Sequence, residues 1–514
     1  MRVRVQVVIE DGEGGPEAAR VHDVAGLERP AGAALRPEEL GLALAEAKTV
    51  LRGVQRVLVA AQAAAHATAR GRCPACGAAL RRKGQHRLQV RTLFGTVPLT
   101  GPRLFRCRCA APAAPAAPAP AASATFSPLA ELLPEHVAPE RLYLEAKWAA
   151  LVSYGLTARL LADILPLDDP VSASTVRHRL HRVAARAEAA LGDERSSFIE
   201  GCPAEGAALP RPPAPLTVGL DGGYVRGWAD KRSHFEVIVG KAVPDEGRAT
   251  CFGFVPGRGA KPRRRLYEVL RGHGRQPDQQ VTFLSDGGDT VRDLQFYLSP
   301  ESEHVLDWFH VTMRLTVLGQ YAKGLGRMPR RRGQPSPREE ALTLIERTKH
   351  FLWHGNVLRA LETLDDLAAL TVLLADPECW DGADDDDEEE KRAVGAGPAA
   401  AARPEAAEAQ AIARLERGVA EFRGYIDANA GFIPNYGERY RQGEAIATGF
   451  VESTVNAVVS KRFAKRQQMQ WTPKGAHLLL QVRTKVLNGE LDGLFRQWYP
   501  GFRPAPAAAA TAVA

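Results

Sequence analysis

The chain has 514 residues, of which 45% are hydrophobic, so it is long enough to bury the cores of several domains. Its 67 Lys and Arg residues exceed its 60 Asp and Glu residues, and the formal net charge of +7 favours an anionic partner. The sequence excludes a membrane span, because no stretch reaches roughly 18 uninterrupted apolar residues, and the first residues lack the apolar segment of a signal peptide. We expect a cytoplasmic protein whose cysteines are thiols or metal ligands.

Low-complexity stretches divide the chain into regions. Residues 110–124 are an Ala- and Pro-rich linker, 203–215 form a Pro-rich break, and 381–407 are acidic and then Ala-rich. We predict that the last of these is a disordered surface segment. The regions that remain are 1–109, 125–200, 216–310 and 311–500.

Two close cysteine pairs mark the first region. Cys73 and Cys76 stand in CPACG, and Cys107 and Cys109 stand in CRC. Alternating sequence between the pairs predicts a hairpin, and two such pairs can place four thiolates around one structural Zn²⁺, as in a zinc ribbon over 73–109. The alternative is four buried free thiols, and the CxC pair is the weaker half because its short spacer strains chelation.

The second region, 125–200, has helical periodicity. The stretch SASTVRHRLHRV predicts a helix that follows a turn and carries Arg177, Arg179 and Arg182. A helix, a turn and a basic second helix are typical of a helix-turn-helix-like DNA-binding domain. The alternative is a plain helical hairpin with a solvated basic face.

The region 216–310 repeats one pattern, an apolar strand followed by Asp-Gly-Gly, at Asp221 and at Asp286. The elements predicted here are three strands, a helix, a strand, a helix and a strand, which is the order of a ribonuclease H-like mixed α/β sheet. Two acids at neighbouring strand ends repel unless a cation lies between them, and Mg²⁺ accepts such oxygen ligands. The alternative is that each Asp is an ordinary turn residue after a strand.

A third carboxylate, Glu452, lies in GFVESTVNAVV, where valines at helical spacing predict one buried stripe beside it. A basic stretch follows, which predicts contacts with phosphates: Lys461, Arg462, Lys465 and Arg466. The alternative for this stretch is a solvated helix face. Trp471 either stacks on a base or packs in the core.

The segment EHVLDWFHVT, residues 303–312, is ambiguous when it is taken alone. Its acid, aromatic pair and histidine, Asp307 to His310, indicate either a satisfied corner of a core or the edge of an active site.

Together these residues resemble a DDE-type transposase of bacterial insertion sequences, most closely the ISKra family within the Mutator-like superfamily. The stretches that carry the resemblance are LDGGYVRG, FLSDGGDTVRDLQ, HVLDWFHVTMRL, LWHGN and GFVESTVNAVVSKRFAKRQQMQW. The resemblance runs from about Cys73 to about Leu491. It implies a helical insertion over 311–445 and a final part of the ribonuclease H-like core over 446–500.

The resemblance also implies an activity. Asp221 would bridge two Mg²⁺ or Mn²⁺ ions, Asp286 and Glu452 would each hold one, and His310, in the family's D-x-x-H element, would lie near the scissile phosphate. The enzyme would cleave DNA at the terminal inverted repeats and transfer the freed 3′ ends to target DNA, acting as a homo-oligomer on nucleoid DNA of a bacterium. The alternatives are an inactive or domesticated DNA-binding protein and a nuclease of the same fold without strand transfer.

Overall fold

The structure is a computed structural model that describes residues 1–10, 19–29, 36–107, 109, 125–168, 170–191, 216–230, 232–245, 247–257, 261–275, 281–298, 302–327, 334–375, 406–464 and 469–503. The predicted linker 110–124, the Pro-rich break and the predicted acidic segment up to residue 405 lie outside these residues. Lys465 and Arg466 also lie outside them.

The chain forms two compact units, Met1–Ala190 with Leu478–Ala514, and Leu191–His477. The predicted final region, 446–500, is therefore divided between them. The elements of the first unit are β1 (Arg2–Ile9), β2 (Arg20–Glu28), α1 (Leu44–Ala69), β3 (Arg82–Thr92), β4 (Gly95–Phe105), β5 (Thr125–Phe126), α2 (Pro128–Leu132), α3 (Pro139–Leu151), α4 (Tyr154–Ile164) and α5 (Ala173–Ala190).

The predicted hairpin between the cysteine pairs is present, as the antiparallel strands β3 and β4. Alternate residues of these strands are buried, among them Val90 and Val97, and they pack with Ala63 of α1 and Leu129 of α2. A period-2 apolar pattern thus places one face of the hairpin on a small core.

Helices α3, α4 and α5 form the predicted helical region, and an ion-pair cluster lies in their core. Glu145 on α3 is 1% exposed and accepts hydrogen bonds from Arg141 at 2.9 Å and from Arg179 on α5 at 2.5 and 2.7 Å. The prediction that Arg179 contacts DNA is wrong, because its guanidinium is buried against this carboxylate. Removal of Glu145 would leave two buried positive charges uncompensated.

The second unit contains a mixed five-stranded sheet and a group of helices. Its elements are β6 (Leu216–Arg226), β7 (His234–Val243), β8 (Thr250–Phe254), α6 (Pro262–Gly272), β9 (Val281–Ser285), α7 (Asp289–Leu298), β10 (Glu303–Leu306), α8 (Trp308–Ala322), α9 (Pro337–Trp353), α10 (Val357–Ala375), α11 (Ala406–Ala428), α12 (Tyr436–Arg441), α13 (Gly449–Val455) and a π-helix (Asn456–Ala464). Helix α14 (Pro473–Leu487) crosses the division, and α15 (Leu491–Trp498) belongs to the first unit.

The predicted order of three strands, helix, strand, helix and strand is confirmed by β6 to β10. The strands lie in the order β10-β9-β6-β7-β8, and β7 runs antiparallel to both of its neighbours. One face of the sheet is covered by α6 and α7, whose Leu266, Leu270 and Leu294 pack on Leu216, Val218 and Leu220. The chain is therefore mixed α/β, as predicted.

Helices α8 to α12 form the helices predicted for 311–445. Their leucines at three- and four-residue spacing build one core that reaches the sheet at Val305 and Leu306. No helix in the described parts of the chain is long and apolar enough to cross a membrane.

Candidate active site

Three aspartates lie on or directly after three neighbouring parallel strands, Asp221 within β6 and Asp286 and Asp307 at the first positions after β9 and β10. The last paired residues of β6 and β9 are Gly219 and Leu284, and Asp221 and Asp286 each come two residues after that pair. The last pair of β10 and β9 is Leu306 and Ser285, so the next residue, Asp307, is also level with Asp286. The three acids therefore meet at the same edge of the sheet, where the charges of Asp286 and Asp307 act on Asp221. Their order in the sheet is therefore Asp307, Asp286, Asp221.

Asp221 is the buried member of the pair that sequence identified. Its Oδ1 accepts a hydrogen bond from the Gly222 backbone N–H at 2.8 Å. Burial raises the pKa of this carboxyl above its usual range, a positive His310 opposes the rise, and the charges of Asp286 and Asp307 add to it. The carboxylates thus destabilise one another's charged forms, which a bound cation would relieve.

Helix α13 brings Glu452 to the same face of the sheet. A Cβ atom on Gly219 would lie 2.1 Å from the Cγ2 of Val451, and one on Gly223 would lie 3.2 Å from the Cγ1 of Val455. Asp221 stands between these glycines and shares their face, since side chains alternate along a strand. The glycines therefore allow the helix to approach the strand on either side of Asp221.

The valine stripe predicted for this helix is confirmed. Val451, Val458 and Val459 are buried, whereas Glu452 is exposed on the helix surface. Glu452 follows the valine that touches Gly219, so it belongs to the helix that packs on the Asp221 face, with its own side chain exposed.

Asp307 connects the sheet to this helix. It is fully buried, and its carboxylate accepts hydrogen bonds from the Phe309 N–H at 2.9 Å, from the Thr448 N–H at 3.0 Å and from the Thr448 hydroxyl. The carbonyl of Thr448 in turn accepts the N–H of Glu452 at 2.9 Å, which begins α13. Asp307 thereby caps α8 and fixes the start of the helix that carries Glu452.

His310 is held by the same carboxylate, at 2.6 Å from its Nδ1 to Asp307 Oδ2. A carboxylate only accepts, so Nδ1 carries a proton and Nε2 is the ring nitrogen that Asp307 does not engage. The hydrogen bond to Asp307 raises the pKa of His310, burial lowers it, and the charges of Asp307, Asp221 and Asp286 raise it further. The carboxylates thus stabilise the protonated form of His310 relative to a free imidazole.

The segment Asp307–His310 is both a core corner and an edge of this site. Trp308 packs at 4.7 Å from the Tyr436 ring and 5.1 Å from the Trp353 ring, within the helical core. His310, one turn later, lies close enough to Asp221 and Asp286 to shift in pKa with them. Both alternatives stated for this segment therefore apply: Trp308 belongs to the core, and His310 lies near the aspartates.

Glu236 is an acid near the site that the sequence analysis missed, on the face of the sheet opposite Asp221. It lies on β7, half-buried, with its Oε1 2.8 Å from the position of a Cβ on Gly222. Burial raises the pKa of Glu236, and the charge of Asp286 raises it further. A lone Glu within a strand gives no sequence signal, because its closeness to Gly222 depends on how β6 and β7 pair.

Asp221, Asp286 and Glu452 are not gathered as tightly as the cysteines. Within the described residues, the one group of three or more Cys, His, Asp or Glu side chains whose ligand atoms all lie within 4.8 Å is Cys73, Cys76, Cys107 and Cys109. In this structure the three acids therefore do not converge on one point.

The four cysteines form a potential metal site in the first unit. The Sγ atoms of Cys73 and Cys109 are 3.5 Å apart, and those of Cys76 and Cys107 are 3.6 Å apart. Gly77, at φ +72°, turns the chain back so that the Cys73 N–H donates to Ala78 O at 2.9 Å. Backbone N–H groups of Cys76 and Ala75 lower the pKa of Cys73 to about 6. These N–H groups favour the thiolate form of Cys73, the form that metals bind, whereas hydrogen bonds with Cys107, Cys76 and Cys73 raise the pKa of Cys109.

The basic residues predicted to contact DNA differ in their exposure to solvent. Arg177 is exposed on α5, and Arg182 is exposed and 3.3 Å from Glu135. Lys461 is exposed on the π-helix. Arg462 is 1% exposed beneath the Trp471 ring, with its Nη1 3.6 Å from Met469 Sδ. Its predicted phosphate contact is wrong, because the guanidinium belongs to the core.

Trp471 packs and does not stack on a base. Its side chain is buried, its ring centroid is 4.7 Å from that of Phe463, and its Nε1 donates to the Phe463 carbonyl at 3.3 Å. Its backbone pairs with the end of β6, since its N–H donates to Arg226 O at 3.0 Å.

Searches against protein-family models and against curated proteins find no match for this chain.

Proposed function

We propose that the chain is a DDE-type DNA transposase that cleaves the ends of an insertion sequence and joins them to target DNA in the bacterial cytoplasm. The observation that carries this proposal is that Asp221 and Asp286 each come two residues after the last pair of the neighbouring parallel strands β6 and β9, with the Glu452 helix packed on the Asp221 face of β6. Paired carboxylates at a sheet edge beside a helix-borne carboxylate suit metal-dependent phosphoryl transfer.

The sheet supports the ribonuclease H-like core that the proposal requires. Strands β6, β9 and β10 are mutually parallel and adjacent, and the three acids follow one another across them. Helix α13, from the far end of the sequence, covers the face that carries the acids. The helices between β10 and α13 then correspond to the insertion that the resemblance implies.

The acidic site fits Mg²⁺ in its chemistry. Every candidate ligand is a carboxylate oxygen, which Mg²⁺ prefers. The negative charges of Asp286 and Asp307 repel that of Asp221, and a bound cation would offset this repulsion. Bound Mg²⁺ would supply Lewis-acid activation of the phosphate and of the attacking oxygen. Asp221, Asp286 and Glu452 would hold it, and Asp307 would keep Glu452 and His310 in place.

His310 has a separate role in this proposal. Its imidazolium, held through Nδ1 by Asp307, places a positive charge and the Nε2–H donor beside the carboxylates. We assign this donor to a non-bridging oxygen of the DNA phosphate, where charge-assisted hydrogen bonds are strongest.

The cysteine group is proposed to hold one structural Zn²⁺ at the base of the β3–β4 hairpin, as in a zinc ribbon. Zn–S bonds of about 2.3 Å in a tetrahedron require sulfurs about 3.8 Å apart. The observed 3.5 and 3.6 Å separations fit that geometry.

Purified protein should therefore contain one zinc per chain, and Cys73→Ser combined with Cys76→Ser should remove it. Elemental analysis after gel filtration measures the metal content. Cys251→Ser changes a cysteine buried in β8, far along the chain from the four, and should leave the zinc in place. Zinc-free wild-type protein, or equal loss in the control, would contradict the assignment.

Two exposed cations should affect DNA binding in different ways. Lys461→Ala should weaken binding to all sequences and flatten the plot of log affinity against log salt by about 0.9, because a phosphate contact carries no base information. Arg177→Ala on α5 should cost about 1–3 kcal/mol for the element's own end and far less for random DNA.

The measurement is binding at several salt concentrations on the native and scrambled ends. Lys349→Ala, a cation on α9 with an exposed Glu346 partner, is the matched control. An unchanged salt dependence in Lys461→Ala would contradict the phosphate contact. An equal loss of affinity for both DNAs in Arg177→Ala would contradict sequence-specific base contacts by Arg177.

The proposed activity is tested on DNA from both sides of the coding region, with inverted repeats identified in it. Full-length protein and Mg²⁺ should introduce breaks at the outer ends of the repeats, and EDTA should prevent them. Scrambled flanks of equal length are the control. Binding without cleavage would favour the inactive DNA-binding alternative, and cleavage without joined products would favour a nuclease.

A further inference from the structure

The helix that carries His310 presents a second cation one turn later. Arg314 comes four residues after His310 on α8, so the two side chains share one face of the helix, about 6 Å apart along its axis. Arg314 is exposed, and among the described residues it forms no ion pair. An exposed guanidinium therefore follows the imidazole that Asp307 holds.

An aromatic ring holds this guanidinium in position. The central carbon of the Arg314 guanidinium lies 4.2 Å from the centroid of the Tyr425 ring on α11, which is a cation–π distance. The Tyr425 ring in turn stacks at 6.3 Å on Phe422, a buried residue of the helical core. A guanidinium that already rests on a packed ring loses little freedom when it binds a ligand.

Helix α11 connects this ring to the turn that carries Asp286. Asn429, one turn after Tyr425, donates a hydrogen bond from its Nδ2 to the Tyr425 carbonyl at 2.8 Å. Asn429 is 4% exposed, and its Oδ1 lies 2.3 Å from the position of a Cβ on Gly287, the residue after Asp286. Helix α11 therefore ends against the Asp286 turn, while α8, which packs on it, begins at Asp307 on the neighbouring strand end.

Electrostatics agree that Arg314 lies near the acids. Burial raises the pKa of Tyr425, the positive charge of Arg314 lowers it, and the negative charges of Asp286 and Asp307 raise it further. The guanidinium and both carboxylates therefore lie around one phenol, on the side of the site that α8 and α11 form.

A phosphate is the ligand that this guanidinium suits. In the proposed function, the Nε2–H of His310 donates to an oxygen of the cleaved phosphate. A DNA strand has one phosphate per nucleotide, so a strand held at His310 presents a further phosphate on either side of it. The next cation on that face of α8 is Arg314, and a guanidinium binds phosphate oxygens through two parallel N–H bonds.

We propose that Arg314 binds the phosphate next to the cleaved one, and that Tyr425 holds the guanidinium in place for it. The inference rests on the proposed function, because it assigns Arg314 to the same DNA. Two cations one helical turn apart fix the position of the strand at the acids, since phosphate contacts set register and carry no base information. Arg314 is thus a binding residue that acts on affinity and not on the chemical step.

Binding of full-length protein to native-end DNA in EDTA, measured at several salt concentrations, tests this directly. Arg314→Ala should flatten the plot of log affinity against log salt by about 0.9, the value for one phosphate contact. Arg314→Lys keeps the charge and should keep the wild-type slope. In Mg²⁺, Arg314→Ala should raise KM for cleavage by about tenfold and change kcat less than about twofold, because the contact is the same before and during reaction.

Arg359→Ala is the matched control, since Arg359 is exposed on α10, where it pairs with Glu362. It should keep both the salt slope and KM. Tyr425→Phe should bind like wild type, because it keeps the ring and removes a hydroxyl that is buried without a hydrogen-bond partner among the described residues. A wild-type salt slope in Arg314→Ala would overturn the proposal, and so would an equal loss of slope in Arg359→Ala.

These outcomes are separate from those of the proposed function, because binding in EDTA needs neither metal nor cleavage. Protein that cuts element ends with wild-type slope and KM in Arg314→Ala would contradict the Arg314 proposal alone. A reduced slope in Arg314→Ala, in a protein that cuts no DNA, would contradict the transposase proposal alone. Protein that binds no DNA would contradict both.

Discussion

Asp221→Asn should abolish cleavage of element ends, by about a thousandfold or more, while end binding stays within a few-fold of wild type. The amide keeps the volume of the carboxylate and removes the charge that a metal requires. Asp221 is buried between Gly219 and Gly223, where α13 packs on β6. The measurement is cleavage of a labelled end in Mg²⁺.

Asp286→Asn and Glu452→Gln should behave in the same way. Asp289→Asn is the matched control, because Asp289 lies three residues from Asp286 and pairs with Arg292 at the surface of α7. Near-normal cleavage in any one of the three site variants would remove that residue from the proposed site. A comparable loss in Asp289→Asn would show that the local charge matters and not metal binding.

Asp307→Ala should lower the free energy of unfolding by about 3–5 kcal/mol, the usual loss when one partner of a buried charged network is removed. The change leaves the Thr448 N–H, the Thr448 hydroxyl and His310 Nδ1 without their acceptor. Denaturant unfolding followed by tryptophan fluorescence measures it, since Trp308 is the next residue. Asp365→Ala, which breaks an exposed pair with Arg423, should change stability by less than about 1 kcal/mol.

The same network should make stability depend on pH. The bond to Asp307 raises the pKa of His310 above 6.5, so its contribution is full below pH 6.5 and is lost as pH rises through the raised value. In Asp307→Asn the pKa of His310 should fall, as NMR titration of its ring protons would detect. An unchanged pKa would show that Asp221 and Asp286 hold the charge instead.

Periodicity was sufficient to predict most of the sheet and of the Glu452 helix. Apolar strands that end in Asp-Gly-Gly predicted β6 and β9, and the valine stripe predicted the buried face of α13. These are short-range signals, because a strand or helix must bury an apolar face whatever its neighbours are. The two cysteine pairs were predictable for a similar reason, since a metal site needs several ligands and leaves a spacing in the sequence.

Long-range pairing could not be predicted from these signals. Arg179 and Arg462 have the same local sequence character as Arg177 and Lys461, yet both are buried, one by Glu145 and the other by Trp471. Whether a cation faces solvent depends on which partner the fold brings to it. The link from Asp307 to Thr448 was equally hidden, because it joins residues 141 positions apart.

The hydrogen bonds between Asp307 and Thr448 join the two ends of the long segment that contains α8 to α12. The helices α8 to α12 leave the sheet at Asp307 and return to it at Thr448, so they begin and end at one point. Loop-closure free energy changes by only about 0.6 kcal/mol for each doubling of loop length. Relatives of this protein could therefore lengthen, shorten or exchange these helices over evolution without displacing Glu452, provided that the acid and the hydroxyl at the base are kept.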